Sequence, residues 1–174
     1  MEDDNTSREQ RSDAEKSKAS QSLRYRQACK AIWRNLDTRG GTSMAFDLSM
    51  PILVVDDYNS MTRILRNLLK QLGMENVDEA TDGSAALIKM RGKTYGLVIS
   101  DWNMAPMTGY DLLMKIRDDP KLADTPFIII TTESSSENVL LAKKAGADNY
   151  IVKPFNAATL KTKIDAVFLD RASE

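Results

Sequence analysis

From residue 51 onward, short unbroken apolar runs alternate with longer stretches in which apolar residues return every three or four positions. The runs over 52–55, 97–99, 127–130 and 150–152 are dominated by Ile, Val and Leu, the composition of parallel strands buried on both faces. A weaker run over 76–80 predicts a fifth strand between the first two. The stretches 60–72, 84–91, 110–117, 135–145 and 157–169 carry the spacing of amphipathic helices. Alternation of strand and helix implies a parallel sheet with right-handed crossovers and helices on both faces. The predicted fold class is a doubly wound α/β domain over 49–174.

Upstream the pattern changes. Residues 1–22 are dense in Glu, Asp, Lys, Arg, Ser and Gln, too poor in apolar groups to offset the entropy of ordering them. Over 23–36, Tyr25, Ala28, Cys29, Ile32, Trp33 and Leu36 recur at helical spacing with Arg24, Lys30 and Arg34 on other faces, which predicts a short basic amphipathic helix. Gly40 and Gly41 break that pattern before the domain begins. Residues 1–48 therefore read as an N-terminal extension, mostly disordered, with one helix over 23–36. The bland account of that helix is packing on the domain or partial order, and it is preferred to a docking arm for a partner.

Composition narrows the function. In 174 residues, 24 Lys and Arg nearly cancel 25 Asp and Glu, leaving a formal charge of −1. No global field draws the chain to nucleic acid or anionic lipid. With a single cysteine, Cys29, and no histidine, a thiolate or imidazole zinc site lacks ligands. No apolar run approaches the ~20 residues needed to cross a bilayer, and the polar start lacks the apolar stretch of a secretory signal. The expectation is a cytoplasmic protein whose partners recognise it locally.

Candidate chemistry gathers where the apolar runs stop. Asp56 and Asp57 follow the first, Asp101 follows 97–100, Thr131 closes 127–130 and Lys153 closes 150–152. In an open parallel sheet, ligands bind beyond the carboxyl ends of the strands. Singly, each residue reads as a helix cap or turn former. Together they predict three carboxylates converging on one end of a sheet, where a like-charge pair ~4 Å apart costs roughly 4 kcal/mol at an effective dielectric near 20. Three carboxylates and one ammonium leave about −2, which a divalent cation with oxygen ligands such as Mg²⁺ neutralises. A carboxylate nucleophile, a metal, a lysine and a hydroxyl suffice for phosphoryl transfer, which is mostly positioning and charge stabilisation. Asp101, alone at the end of a central strand, is the better nucleophile, and the adjacent Asp56 and Asp57 suit metal binding.

At Val55-Asp56-Asp57, Ser100-Asp101-Trp102-Asn103-Met104, Thr131 and Lys153-Pro154-Phe155, the chain resembles two-component response regulator receiver domains. Asp101-Trp102-Asn103-Met104, Thr131-Thr132-Glu133 and 152–160 are most similar to the CheY-like chemotaxis members. The resemblance spans about 49–169 and implies the flavodoxin-like strand order 2-1-3-4-5. It further implies a stand-alone response regulator, with Asp101 as phosphoacceptor from a CheA-like sensor histidine kinase. Asp57, Asp101 and the backbone carbonyl of Asn103 would bind Mg²⁺ directly, with Asp56 acting through water. Thr131 and Lys153 would contact phosphoryl oxygens. Thr131 and Tyr150 would form the switch, and the face built from the fourth helix, fifth strand and fifth helix would change its affinity for a flagellar motor switch protein. Such a domain catalyses only its own phosphorylation and dephosphorylation.

Two positions depart from the family pattern. The loop 105–109 has no acid before Gly109, and Thr132 stands beside the switch threonine where a small residue is common. Rival readings are a single-domain receiver in another phosphorelay and a phosphorylation-independent interaction module. An aspartate-based phosphatase would need an acid two residues past the nucleophile, where Asn103 stands. A flavin site would need a Ser/Thr/Gly-rich loop after the first strand.

Overall fold

The computed structural model describes residues 47–173 except Ser134, so the predicted helix over 23–36 lies outside the described residues. Five strands and five helices alternate: β1 (Ile52–Val55), α1 (Asn59–Gln71), β2 (Val77–Ala80), α2 (Gly83–Gly92), β3 (Leu97–Asp101), α3 (Gly109–Asp118), β4 (Phe127–Thr131), α4 (Ser136–Lys144), β5 (Asn149–Val152) and α5 (Ala157–Ser173). The strands form one parallel sheet in the order β2-β1-β3-β4-β5.

Strand residues alternate strictly between two cores, as the two-residue repeat of a strand requires. Leu53 and Val55 of β1, Val98 of β3, and Phe127 and Ile129 of β4 pack with Leu87 and Met90 of α2, Leu112, Leu113 and Ile116 of α3, and Ala142 of α4. Ile52, Val54, Leu97, Ile99, Ile128 and Ile130 face the other way, onto Leu65 and Leu69 of α1 and Leu160, Ile164 and Val167 of α5. The three central strands are buried throughout. The reading of the 150–152 run as buried on both faces needs correction: β5 is an edge strand, and of its residues only Ile151 is fully buried.

Local chemistry starts the helices. Asp82 caps α2, its carboxylate accepting from the N–H groups of Ser84 (2.7 Å) and Ala85 (3.0 Å). α4 begins at Ser135, whose hydroxyl accepts from Asn138 N–H. Helix α5 runs four residues beyond the predicted 157–169. Its last turn is held by tertiary contacts that periodicity does not encode, Arg171 bonding Asp148 and the Asp124 carbonyl.

Candidate functional site

Strands β1, β3 and β4 end in Val55, Asp101 and Thr131, and the polar residues there lie side by side because neighbouring strands end in register. Ser100 of β3 pairs with Val55, Asp101 with Ile130 of β4, and Thr131 with Val152 of β5. The Lys153 ammonium, just past β5, bonds Asp101 Oδ1 at 2.6 Å and Asp56 Oδ2 at 3.4 Å. Asp56 and Asp101 are almost wholly buried, at 1% and 7% exposure. The other oxygen of each carboxylate accepts one backbone N–H: Tyr58 donates to Asp56 Oδ1 and Asn103 to Asp101 Oδ2, both at 2.9 Å.

This balance is short of positive charge. Burial raises the Asp56 carboxyl above its ordinary value, and Asp101 adds to the rise, against the lowering effects of the Tyr58 N–H and Lys153. For Lys153, burial acts downward, yet the hydrogen bond and charge of Asp101, with Asp56 behind them, carry it above its ordinary value. Two desolvated carboxylates sharing one ammonium, with only hard oxygen donors around them, fit a divalent cation of the Mg²⁺ type.

Of the three carboxylates expected at this end of the sheet, Asp56 and Asp101 lie together at the Lys153 ammonium. Asp57 is exposed, and among the described residues no group of three or more His, Cys, Asp or Glu is assembled to hold a metal ion. Asp56 and Asp101 meet because β1 and β3 are paired strands, and Lys153 bonds both.

Thr131 is buried at the end of β4, and its hydroxyl accepts from Glu133 N–H at 3.1 Å. Its carbonyl accepts from Lys153 N–H at 2.8 Å, joining it to the lysine. Tyr150 is half-buried against the core cluster that includes Val98, Ile129 and Ala142, and its hydroxyl donates to the Glu133 carbonyl. The loop from Thr131 to Glu133 thus ties the threonine to the tyrosine. Desolvation first, then the charge of Glu133, raises the Tyr150 phenol above its ordinary value, so at neutral pH it is a hydrogen-bond donor.

The missing acid before Gly109 does not spoil the start of α3. Thr108 supplies a capping box, its hydroxyl accepting from Asp111 N–H at 3.0 Å while the Asp111 carboxylate accepts from Thr108 N–H at 3.3 Å. Sequence reasoning saw Gly109 only as a turn former. Its Cα lies so close to the end of β3 that a Cβ would stand 2.0 Å from the Asp101 carbonyl oxygen, and Gly109 N–H donates to the Trp102 carbonyl at 2.9 Å. Any side chain at 109 would displace the backbone that carries Asp101.

Residues 52–165 match the family model described as response regulator receiver domain. Chemotaxis protein CheY-3 of Vibrio cholerae is 48% identical over 120 residues, covering 69% of this chain and 92% of its own length. Chemotaxis protein CheY of Pseudomonas aeruginosa is 43% identical over 119 residues, 68% of this chain and 96% of its own. The solved structure of the chemotaxis response regulator CheY4 of Vibrio cholerae superposes with a TM-score of 0.64 at 35% identity, covering 68% of this chain and 98% of that one. The chain belongs to the response regulator receiver domain family, as a CheY-like chemotaxis member. It is a signalling module, built on the flavodoxin-like strand order that the resemblance implied.

Proposed function

We propose that this receiver is switched by phosphorylation of Asp101 and that the switch alters its affinity for a partner protein, in chemotaxis the flagellar motor switch. The observation that carries the proposal is the Lys153 ammonium 2.6 Å from a buried Asp101 oxygen, with Asp56 beside it. An Asp101 oxygen attacks the phosphorus of a phosphohistidine on a CheA-like sensor kinase. The new O–P bond forms as the P–N bond breaks, and the electron pair returns to the imidazole nitrogen. Asn103 N–H, bonded to the other oxygen, fixes the carboxylate plane, and Lys153 faces the charge that arrives with the phosphoryl oxygens. Asp57, Asp101 and the Asn103 carbonyl would hold Mg²⁺, with Asp56 behind them. When bound, the cation neutralises charge on the phosphoryl oxygens.

The phosphoryl group supplies strong acceptors that the Thr131 hydroxyl and Lys153 can donate to. Thr131 then leaves its bond with Glu133 N–H, and the loop that also receives the Tyr150 hydroxyl moves with it. That loop runs directly into α4, whose Val139, Leu140 and Leu141 are 38%, 52% and 45% exposed. Adjacent aliphatics on a surface helix suit partner contact better than solvent. No described helix is long and apolar enough to cross a membrane. With a kinase and motor as partners, we assign the chain to the cytoplasm, with neither nucleic acid nor membrane among its partners. The domain is assigned to 49–174, with 1–48 as its extension.

Incubation with acetyl phosphate and Mg²⁺ should label the protein stoichiometrically, and Asp101→Asn should abolish the label while cooperative unfolding is retained. Full labelling of that variant would move the acceptor elsewhere. Mg²⁺ should change the fluorescence of Trp102, one residue past the acceptor, and Asp57→Asn should weaken that response. Capture of a histidine phosphotransfer protein in place of a motor switch peptide by the phosphorylated form would make the chain a relay receiver.

A further inference from the structure

The loop over 102–108 leaves β3 tightly held and returns to α3 loosely held. On the outgoing limb, Trp102 N–H donates to the Ile130 carbonyl at 2.8 Å, Asn103 N–H donates to Asp101, and Met104 is buried. On the return limb, Ala105, Pro106 and Met107 make no hydrogen bond among the described residues, and Ala105 and Pro106 are exposed. What seats this limb is the side chain of Met107, which lies against Gly83, the first residue of α2. A Cβ on Gly83 would stand 2.7 Å from Met107 Cγ, 2.8 Å from Sδ and 3.1 Å from Cβ.

Of these atoms the loop backbone fixes only the Cβ, which at 3.1 Å would itself have to give by a few tenths of an ångström, while Cγ and Sδ are placed by the χ1 and χ2 rotamers. Clearing a methyl group at position 83 would therefore take a new χ1 rotamer for Met107 together with a small shift of the limb that carries its Cβ. Only Thr108 separates Met107 from Gly109, which touches the Asp101 carbonyl. A displaced limb therefore reaches the acceptor's backbone almost directly.

We propose that Met107, seated in the notch left by Gly83, is a positioning residue that holds the acceptor loop in its phosphoryl-accepting geometry. The inference rests on Asp101 being the acceptor, as proposed above. Gly83 is not among the glycines with positive φ, so alanine is allowed there by the backbone and favoured by helix propensity. A merely structural view predicts that Gly83→Ala leaves the acceptor untouched.

The test measures initial acetyl phosphate labelling at saturating Mg²⁺, the melting temperature, and amide exchange of Asn103 in metal-free protein. Gly83→Ala should melt cooperatively, label about tenfold more slowly and exchange the Asn103 amide faster. Met107→Ala should shift both readouts in the same direction, and Met107→Leu, which keeps apolar bulk, should stay near wild type. In the double variant Gly83→Ala/Met107→Ala, the new methyl occupies space the thioether vacated, so labelling should recover to within about twofold of wild type. Wild-type labelling and exchange in Gly83→Ala, or a double variant no better than the product of the singles, would overturn the proposal. If wild type labels no more than Asp101→Asn, the functional reading fails instead, and Asn103 exchange in metal-free protein still decides whether Met107 seats the loop.

Discussion

The two ends of the sheet carry charge clusters of opposite design. At the carboxyl ends, one lysine is shared by two aspartates, Asp56 and Asp101. At the amino ends, one aspartate is shared by two arginines: Asp148 Oδ2 lies 3.0 Å from Arg117 and Oδ1 2.6 Å from Arg171. The surplus positive charge at the amino end is absorbed by fixed dipoles. Arg117 donates to the carbonyls of Ala123, Thr125 and Gly146, Arg171 to that of Asp124, and Asp148 also accepts Phe127 N–H. Burial lowers Arg117 below its ordinary value, opposed by Asp148, yet its donors are met by protein atoms. The surplus negative charge at the carboxyl end meets, among the described residues, the backbone N–H groups of Tyr58 and Asn103. The amino-end cluster is thus closed by protein atoms, whereas the carboxyl-end cluster keeps two buried carboxylates to one ammonium.

The contrast breaks most visibly under the same isosteric change at each end. Asp148→Asn removes the charge from both arginines and should cost about 3 kcal/mol in denaturant unfolding with an unchanged slope. Loss of less than a third of that would mean the amino-end cluster is dispensable. Next in size, saturating Mg²⁺ at about 100 times its dissociation constant should stabilise wild type by roughly 2.7 kcal/mol, reversed by chelation. Asp148→Asn should keep that increment and Asp57→Asn should lose most of it.

Smaller, and of opposite sign to Asp148→Asn, Asp56→Asn should stabilise metal-free protein at neutral pH by roughly 1–2 kcal/mol, because it relieves the burial of a charged carboxylate first and its repulsion from Asp101 second. The folded-state value of Asp56 is raised, so its penalty grows as pH rises through that value. Below the unfolded value, 3.8, both states hold the proton and the variant's advantage disappears. Smallest of all is the exposed pairing of Asp78 with Lys93 (2.7 Å) and Tyr95 (2.8 Å), on β2 and the segment entering β3. The Lys93 hydrogen bond, then that of Tyr95, lowers the Asp78 carboxyl. Its contribution is present above the ordinary carboxylate range and fades as pH falls through the lowered value. Asp78→Asn should cost about 0.5 kcal/mol at neutral pH and nothing in strong acid.

How much of this was legible beforehand depended on range. Strand and helix positions came within a few residues, because burial on alternate positions and on helical stripes is written locally. Three strands ran longer than read: β3 and β4 extend to Asp101 and Thr131, two residues and one residue past the last apolar side chain, and β5 starts one residue early at Asn149, since ladder bonds do not stop where the apolar run does. The strand order came from family resemblance, not from periodicity. Of the predicted metal acids, Asp56 and Asp101 meet around Lys153, and Asp57 is exposed. The close approaches of Gly109 to Asp101 and of Met107 to Gly83 were invisible, because contact between distant segments leaves no local pattern. The capping box at Thr108 and Asp111 could have been read, and it answers the missing acid.

The amino-acid sequence alone determined the alternation of buried strands and amphipathic helices, and with it the end of the sheet where acids, a hydroxyl and a lysine emerge. Tertiary structure decided which charges meet. Lys153 lies 52 residues from Asp101 and 97 from Asp56, and Asp148 reads in sequence as an ordinary loop residue. Periodicity is a property of neighbours along the chain, whereas the sign and surplus of a buried charge cluster depend on which strands lie side by side and on how many dipoles the fold brings to each ion.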